Sequence, residues 1–404
     1  MTEWMPQVRS VSLGVWLQVG SRDEGGGEEG ICHFIEHLVF KGTERRTAKQ
    51  IAQEIDAVGG SLDAFTTREH TCFYGKVLGK HVPLAVDVLA DLLLRPRLDP
   101  EDIEMERGVI LQEIKMVEDT PDDLIHDLFT QAVWPSHPLG HSVLGRRETL
   151  ERIGRDDLVN FMDRYYCPSR TIVAAAGDLD HDQLADLLAE AFTSWEGRIG
   201  RAAAQPPTTR YAAVNKDRNL SQIHFCYGVA GLPYAHKDRY TLHLLNSVVG
   251  GGMSSRLFQE VREKRGLVYS IYSYAPAYRD TGLFVVYAGT SSDQYHEVLD
   301  LIRAECEKLR REGVIPEELC RAKEQLKGGL LLGLESTGSR MTRLAAMQMY
   351  FGHCFALDEI VQGIEAVTPP QLQHLVDMLF GGEAYALASI GRIPPGSPRP
   401  VNGA

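Results

Sequence analysis

Cysteine is sparse and unpatterned in this chain. The seven cysteines, at 32, 72, 167, 226, 306, 320 and 354, are odd in number and contain no Cys-x-x-Cys pair, which argues against both a disulfide framework and a cysteine zinc site. Reduced thiols in a cytoplasmic protein are the expectation. No apolar run approaches the roughly 20 residues that a spanning helix needs, so no membrane span is expected. The opening MTEWMPQVRS has neither the basic-then-apolar profile of a secretory signal nor the Arg- and Ser-rich character of a transit peptide. Cationic side chains are also in deficit. The formal net charge is -13, and the basic patch of a nucleic-acid partner is not expected. The Gly-Gly-Gly run at 250–252 is not followed by Gly-Lys-Ser/Thr, so it reads as a helix-ending turn and not as a phosphate cradle.

What the chain does have is length and apolar content. Its 404 residues, 44% hydrophobic, suffice to bury two sizeable cores. Periodicity predicts strands at 11–19, 65–77 and 171–176, with helices at 48–58, 82–94, 156–165 and 182–194. Composition changes over 197–205 and Pro206-Pro207 follows, so a linker is expected at 197–210. The second half repeats the plan, with strands at 223–227, 269–274 and 282–288, helices at 240–248 and 294–311, and further helices from Pro316 and Leu357. A strand-then-helix unit at 73–94, FYGKVLGKHVPLAVDVLADLLL, is echoed at 284–309 by FVVYAGTSSDQYHEVLDLIRAECEKL. The expected fold class is α+β, with two duplicated domains, each a mainly antiparallel sheet packed against helices. They are expected at 1–196 and 211–393, and the Pro- and Gly-rich tail at 394–404 is expected to be disordered.

Chemistry concentrates in HFIEH at 33–37. On a helix, His33 and His37 lie about 40° apart around the axis with Glu36 beside them, so the three side chains share one face. Two imidazoles at that spacing can grip one metal ion, and the order His-x-x-Glu-His is the inverzincin signature. The pentapeptide alone also fits a helix whose histidines satisfy hydrogen bonds in a core. The opposite face, Ile31, Phe34, Ile35 and Leu38, is apolar, so the His-Glu-His stripe looks toward a cavity. Cys32 points about 100° away from His33 and reads as a packed thiol.

A catalytic zinc commonly takes three protein ligands. The segment 103–119 reads as a helix opened by Pro100 and closed before Pro121. Glu106 and Glu113 are two turns apart on the face that carries Ile103, Ile110 and Val117. Unpaired carboxylates on an apolar stripe are costly, and a cation removes the cost. Either glutamate could instead be an exposed residue at the edge of the stripe.

These residues resemble the pitrilysin/insulinase family of zinc metallopeptidases, and within it the half-length branch of the mitochondrial processing peptidase and its bacterial homologues. The resemblance rests on HFIEHLVFKGT, on Glu113 with Glu106 before it, on 59–77, 134–145 and 165–179, and on SRLFQEVREKRGLVYS at 255–270. It covers nearly the whole chain. It implies one Zn2+ per chain held by His33, His37 and Glu113, with Glu36 as general base on the zinc-bound water and Glu106 orienting a ligand histidine. It assigns Arg262 and Tyr269 to the substrate carbonyl and the oxyanion that develops there. Without the resemblance, Arg262 reads as part of a solvated charged run and Tyr269 as a residue packed in a strand. Family members pair substrate backbone with the edge strand that corresponds here to Asp63, Ala64 and Phe65. Many have Asn where this chain has Asp63, whose carboxylate would favour basic residues in the peptide.

The implied activity is a zinc-dependent endopeptidase that cuts extended or unstructured peptides inside a chamber. Because one chain carries both the metal motif and the Arg/Tyr pair, a homodimer with sites completed in trans is expected. The alternative is a non-catalytic structural or assembly subunit of a processing-peptidase-like complex. Relatives usually carry a strand before the one read at 11–19, so either the chain begins late or the edge of its first sheet is bare.

Overall fold

In a computed structural model of the protein, residues 1–197 and 205–395 are described. The expectations for 198–204, within the linker, and for 396–404, within the tail, fall outside these residues. The chain forms two compact units. Each is an α+β assembly built on one five-stranded sheet, antiparallel except for a single parallel pair.

The first unit comprises Met1–Met116, His141–Gln205 and Gly333–Cys354. Its strands are β1 (Thr2–Trp4), β2 (Ser10–Leu17), β3 (Ser61–Thr66), β4 (Thr71–Leu78) and β5 (Thr171–Gly177), in the order β1-β5-β2-β4-β3. The edge beside β5 is not bare: β1 pairs parallel with it, Thr2 opposite Ala175. The stretch read as one strand at 65–77 is a hairpin. Thr67 and His70 close its turn, with the Thr67 Oγ1 accepting from the backbone N–H of His70 at 3.1 Å. A turn of Thr, Arg, Glu and His carries no Gly or Pro signal, and a serine-or-threonine turn of this kind is easily read through.

One face of this sheet packs against the helices Ile31–Val39 and Val82–Leu94, and Val11, Leu13, Val15, Phe34, Ile35, Phe73 and Leu89 lie in their shared core. The other face is covered by the helix Thr337–Phe351. Its Met341, Leu344 and Ala345 pack on Trp16, Cys72, Ala174 and Ala176.

The second unit comprises Val117–Gly140, Pro206–Leu332 and Phe355–Ala404. Its strands are β6 (Ala213–Asp217), β7 (Ile223–Ala230), β8 (Val268–Tyr274), β9 (Leu283–Thr290) and β10 (Ala386–Gly391), in the order β6-β10-β7-β9-β8. Position for position this repeats the first sheet, including the parallel pair at one edge. The helix Pro121–Val133 covers one face, with Ile125 and Phe129 among Cys226, Val285, Tyr287 and Ala388. Gly228 is what admits it: a Cβ there would stand 2.7 Å from Phe129 Cζ.

Neither covering helix belongs to the half of the sequence whose sheet it covers. Residues 117–140 cluster with the second unit and 333–354 with the first, whereas the sequence reading assigned the chain to domains linearly, at 1–196 and 211–393. The physical reason is that a sheet has two faces to bury, and the helices following each sheet in sequence supply only one. The Gly250 turn ends the helix Arg239–Val249, as a glycine after a helix does.

Candidate metal centre

The first turn of the helix Ile31–Val39 follows Gly30, whose φ of 95° places it in the left-handed region that glycine enters without penalty. Ile31, Cys32, Phe34, Ile35, Leu38 and Val39 are buried, which leaves His33, Glu36 and His37 on the remaining face. The helix Pro100–Glu118 presents Glu113 to that face: its Oε2 is 3.7 Å from His33 Nε2 and 3.8 Å from His37 Nε2. Among the described residues, His33, His37 and Glu113 form the one group able to offer three ligand atoms to a metal ion.

The donor set fits zinc. Bonds of about 2.0–2.1 Å in tetrahedral geometry separate neighbouring ligand atoms by about 3.3 Å, so the Glu113 oxygen need close on each imidazole by only about half an ångström. Burial, and then the neighbouring His37, push the His33 pKa down to about 4, which keeps it in the neutral form that ligates metals. The His37 Nδ1–H donates to Glu106 Oε2 at 3.0 Å, leaving Nε2 as the acceptor that faces Glu113. Glu106, 4% exposed, also takes the Lys41 ammonium on Oε1 at 2.5 Å.

Glu36 lies on the same face with its Oε2 buried and unpartnered. Burial raises its pKa above the ordinary carboxyl value, against a hydrogen bond from Thr66. A carboxyl with a raised pKa is a better proton acceptor than an ordinary one. Thr66 ends β3, the other edge of the sheet, whose outer side carries no strand partner among the described residues. Of the strand residues singled out from sequence, Asp63 is exposed and accepts from the Tyr74 hydroxyl at 3.3 Å. Ala64 packs against the core, and Phe65 meets Trp16 edge-on at 5.4 Å.

Arg262 and Tyr269 lie in the second unit and touch one another. Arg262 lies in a π-helical turn, Phe258–Glu263, and its guanidinium stands 5.1 Å from the Tyr269 ring centre. Tyr269 sits where the β8–β9 register slips between Val268 and Ser270. Such a bulge re-aims a side chain, and Tyr269 is 78% exposed. It borders a cavity of about 340 Å³ whose walls include Asp122, His126, His224, Tyr272 and Tyr287. No periodicity signal marks this cavity, because its walls come from a helix and three strands distant in sequence.

Substitutions in the duplicated copy explain why the described residues of the second unit hold no such triad. The helix Arg239–Val249 follows β7 as Ile31–Val39 follows β2, and its buried pairs, 241/242, 244/245 and 248/249, match 31/32, 34/35 and 38/39. That register puts His243, Asn246 and Ser247 where the first unit has His33, Glu36 and His37. Counting from the prolines that open the helices Pro100–Glu118 and Pro316–Gly333, Ala322 and Gly329 replace Glu106 and Glu113. One histidine without a carboxylate cannot hold the ion.

Residues 1–147 match the family model described as Insulinase (Peptidase family M16), and residues 152–326 match the Peptidase M16 inactive domain. The chain belongs to this family. Its M16 relatives include the uncharacterized zinc protease YmxG of Bacillus subtilis, 41% identical over 385 residues, spanning 95% of this chain and 94% of the relative. An uncharacterized zinc protease of Streptomyces coelicolor is also 41% identical, covering 94% of this chain and 85% of its own length. Among solved structures, a protease from Helicobacter pylori superposes with a TM-score of 0.88 at 22% identity, covering 96% of both chains. A peptidase M16 inactive domain from Pseudomonas fluorescens gives 0.90 at 19%, covering 98% of this chain and 96% of that one. The chain is thus a half-length member of a zinc peptidase family. No helix among its described residues is long and apolar enough to cross a membrane.

Three residues of the site were not singled out from sequence. Lys41 had a usable signal, since it lies one turn beyond His37. Thr66 and Glu24, which accepts hydrogen bonds from the backbone N–H groups of Gly30 and Cys32, had none, because they meet the helix through the fold.

Proposed function

We propose that this protein is a zinc-dependent endopeptidase that hydrolyses extended or unstructured peptides. The observation that carries the reading is the convergence of His33, His37 and Glu113 beside a buried carboxylate, Glu36, that has an orphaned oxygen. Bound zinc supplies Lewis acidity and a water of lowered pKa, near 7. Glu36 takes the proton of the attacking water on its free oxygen and returns it to the leaving amine. Glu106 holds the His37 ring through Nδ1, so that His37 presents Nε2 throughout. The open edge of β3 at Asp63, Ala64 and Phe65 receives the substrate backbone as an added strand, which selects extended peptides. Asp63 favours basic residues near the cut. Tyr269 and Arg262 donate to the developing oxyanion.

The described residues hold one triad and one Arg/Tyr pair, which supports one zinc per chain and a homodimer whose chamber encloses sites completed in trans. The seven cysteines, none in a disulfide, support placement in the cytoplasm. The description "inactive domain" attaches to 152–326, which holds Arg262 and Tyr269 but neither the triad nor Glu36, and it leaves open the alternative of a structural or assembly subunit.

The test is a cleavage map on a mixed peptide library with zinc-loaded wild type and Glu36→Gln. General acid–base catalysis is worth about 10²–10⁴-fold, so the variant should lose cleavage by that factor while still binding metal. Cleavage by both proteins at the same rate, or by neither, overturns the proposal. Mixing Glu36→Gln with Tyr269→Phe chains should restore part of the activity; no recovery counts against sharing of sites.

A further inference from the structure

The two histidines of the triad are held by different devices. His37 has Glu106 on its Nδ1, whereas the Nδ1 of His33 is buried and without a hydrogen-bond partner. The position of His33 is therefore set by the backbone of its own turn. That turn begins without a side-chain cap, because its N-cap is Gly30, and the first N–H groups of a helix need acceptors from elsewhere.

A single carboxylate from upstream provides two of them. Glu24, 4% exposed, accepts from Gly30 N on Oε2 at 2.9 Å and from Cys32 N on Oε1 at 3.0 Å. Both its oxygens are engaged, on peptide groups immediately before His33. Burial pushes the Glu24 pKa up to about 8, against the two backbone hydrogen bonds. A carboxyl in such surroundings is expensive to keep, and the positive end of the helix is what offsets its cost.

Glu24 is itself held firmly. The Arg22 guanidinium forms a buried ion pair with Glu69 at 2.7 Å. Tyr165 donates to the Asp23 carbonyl at 3.0 Å. Ser21 N and Arg22 N donate to the carbonyls of Thr67 and Arg68 in the β3–β4 turn, at 3.2 and 2.8 Å. Gly20 lies so close to that turn that a Cβ would stand 2.3 Å from the Thr67 carbonyl oxygen. The chain of contacts runs from the hairpin carrying the open edge strand, through residues 20–24, to the peptide before His33.

We propose that Glu24 is a positioning residue for His33: through Gly30 and Cys32 it sets where the first histidine stands relative to Glu113 and to the β3 edge. The inference rests on the zinc reading above. It predicts a metal-binding defect from a residue that touches neither metal nor substrate.

The test uses the full chain, wild type, Glu24→Ala and Glu24→Gln, titrated with Co2+ and Zn2+ at neutral pH. Zinc affinity is read by competition with a chromophoric chelator, coordination geometry by the visible absorption of bound cobalt, and stability by thermal melting of the metal-free proteins. Loss of groups that orient a ligand costs about 10–100-fold in metal affinity. Glu24→Ala should fall in that range, with weakened or shifted cobalt bands. Glu24→Gln keeps one acceptor oxygen and should lose less, with the same direction of spectral change. If Glu24→Ala does not fold, Glu24→Gln decides alone. Variants that bind zinc as tightly as wild type, with the same cobalt spectrum, overturn the inference even if they melt lower, since that is the behaviour of a purely structural residue. A wild type that binds neither metal overturns the zinc reading, and this inference with it.

Discussion

Replacing Glu106 is the sharpest perturbation of the site that leaves every proposed ligand in place. Its two oxygens have separate duties: Oε2 accepts from His37 Nδ1 at 3.0 Å, and Oε1 pairs with Lys41 Nζ at 2.5 Å. Glu106→Ala deletes both and takes from the Lys41 ammonium this carboxylate partner. Partners that orient a metal-bound histidine are worth about 10–100-fold in affinity, or about 1.4–2.7 kcal/mol. The charge-assisted hydrogen bonds are worth about 1.5–3 kcal/mol each when desolvated. The Lys41 side chain is 32% exposed, so its pair belongs at the bottom of that range. Metal-free Glu106→Ala should therefore unfold about 3–4.5 kcal/mol more easily, as well as binding zinc more weakly.

Glu106→Gln separates the two duties. An amide oxygen can still accept from His37, but its NH2 then faces Lys41, donor against donor. Lys41→Met in the Glu106→Gln background should therefore recover part of the lost affinity, a non-additive result expected only of groups in contact. The assays are chelator competition for zinc and denaturant unfolding in the presence of a chelator. A zinc Kd for Glu106→Ala within about twofold of wild type would refute the argument that Glu106 orients His37.

Other outcomes follow from the same geometry. Burial depresses the His70 pKa to about 4, below its unfolded value of about 6.5, so the folded state keeps it neutral. The stability it contributes is complete above about pH 6.5 and is lost as pH falls to about 4, at most about 3 kcal/mol; the difference in unfolding free energy between pH 7 and pH 4.5 should shrink in His70→Phe, and an unchanged difference refutes this. Gly228→Ala should cost about 1–3 kcal/mol by overpacking against Phe129 and the Phe284 carbonyl, both 2.7 Å from the added carbon, and a melting temperature equal to wild type would show that the covering helix can give way. Asp63→Asn should reduce any preference for Arg-containing over neutral peptides in competitive hydrolysis; an unchanged ratio sinks the role given to that carboxylate.

The elements that sequence displayed best were those whose pattern is local. The helix Val82–Leu94 has the bounds its periodicity predicts, because a long apolar stripe in phase with 3.6 residues per turn fits little else. Apolar alternation runs up to both sides of a polar turn lacking glycine, so the hairpin of β3 and β4 reads as one strand in the sequence. Sequence periodicity assigns neither the helix Pro121–Val133 nor the helix Thr337–Phe351. Both cover a sheet whose strands belong largely to the other half of the chain, and no window of sequence contains both a helix and the surface it buries.

The site divides in the same way. Sequence by itself determined that His33, Glu36 and His37 share one helix face and that Glu106 and Glu113 share another, because backbone pitch alone sets those relations. It also placed Arg262 and Tyr269 close in the chain, though not that a π-turn and a bulge would bring them into contact. Tertiary structure decided which carboxylate meets which imidazole, that Lys41 takes the second oxygen of Glu106, and that Glu24 holds the peptide before His33. The reason is range. Helix geometry is written in neighbours three to seven residues apart, whereas the partner of a buried polar group is chosen by whatever the fold brings within about 3 Å, from any distance along the chain.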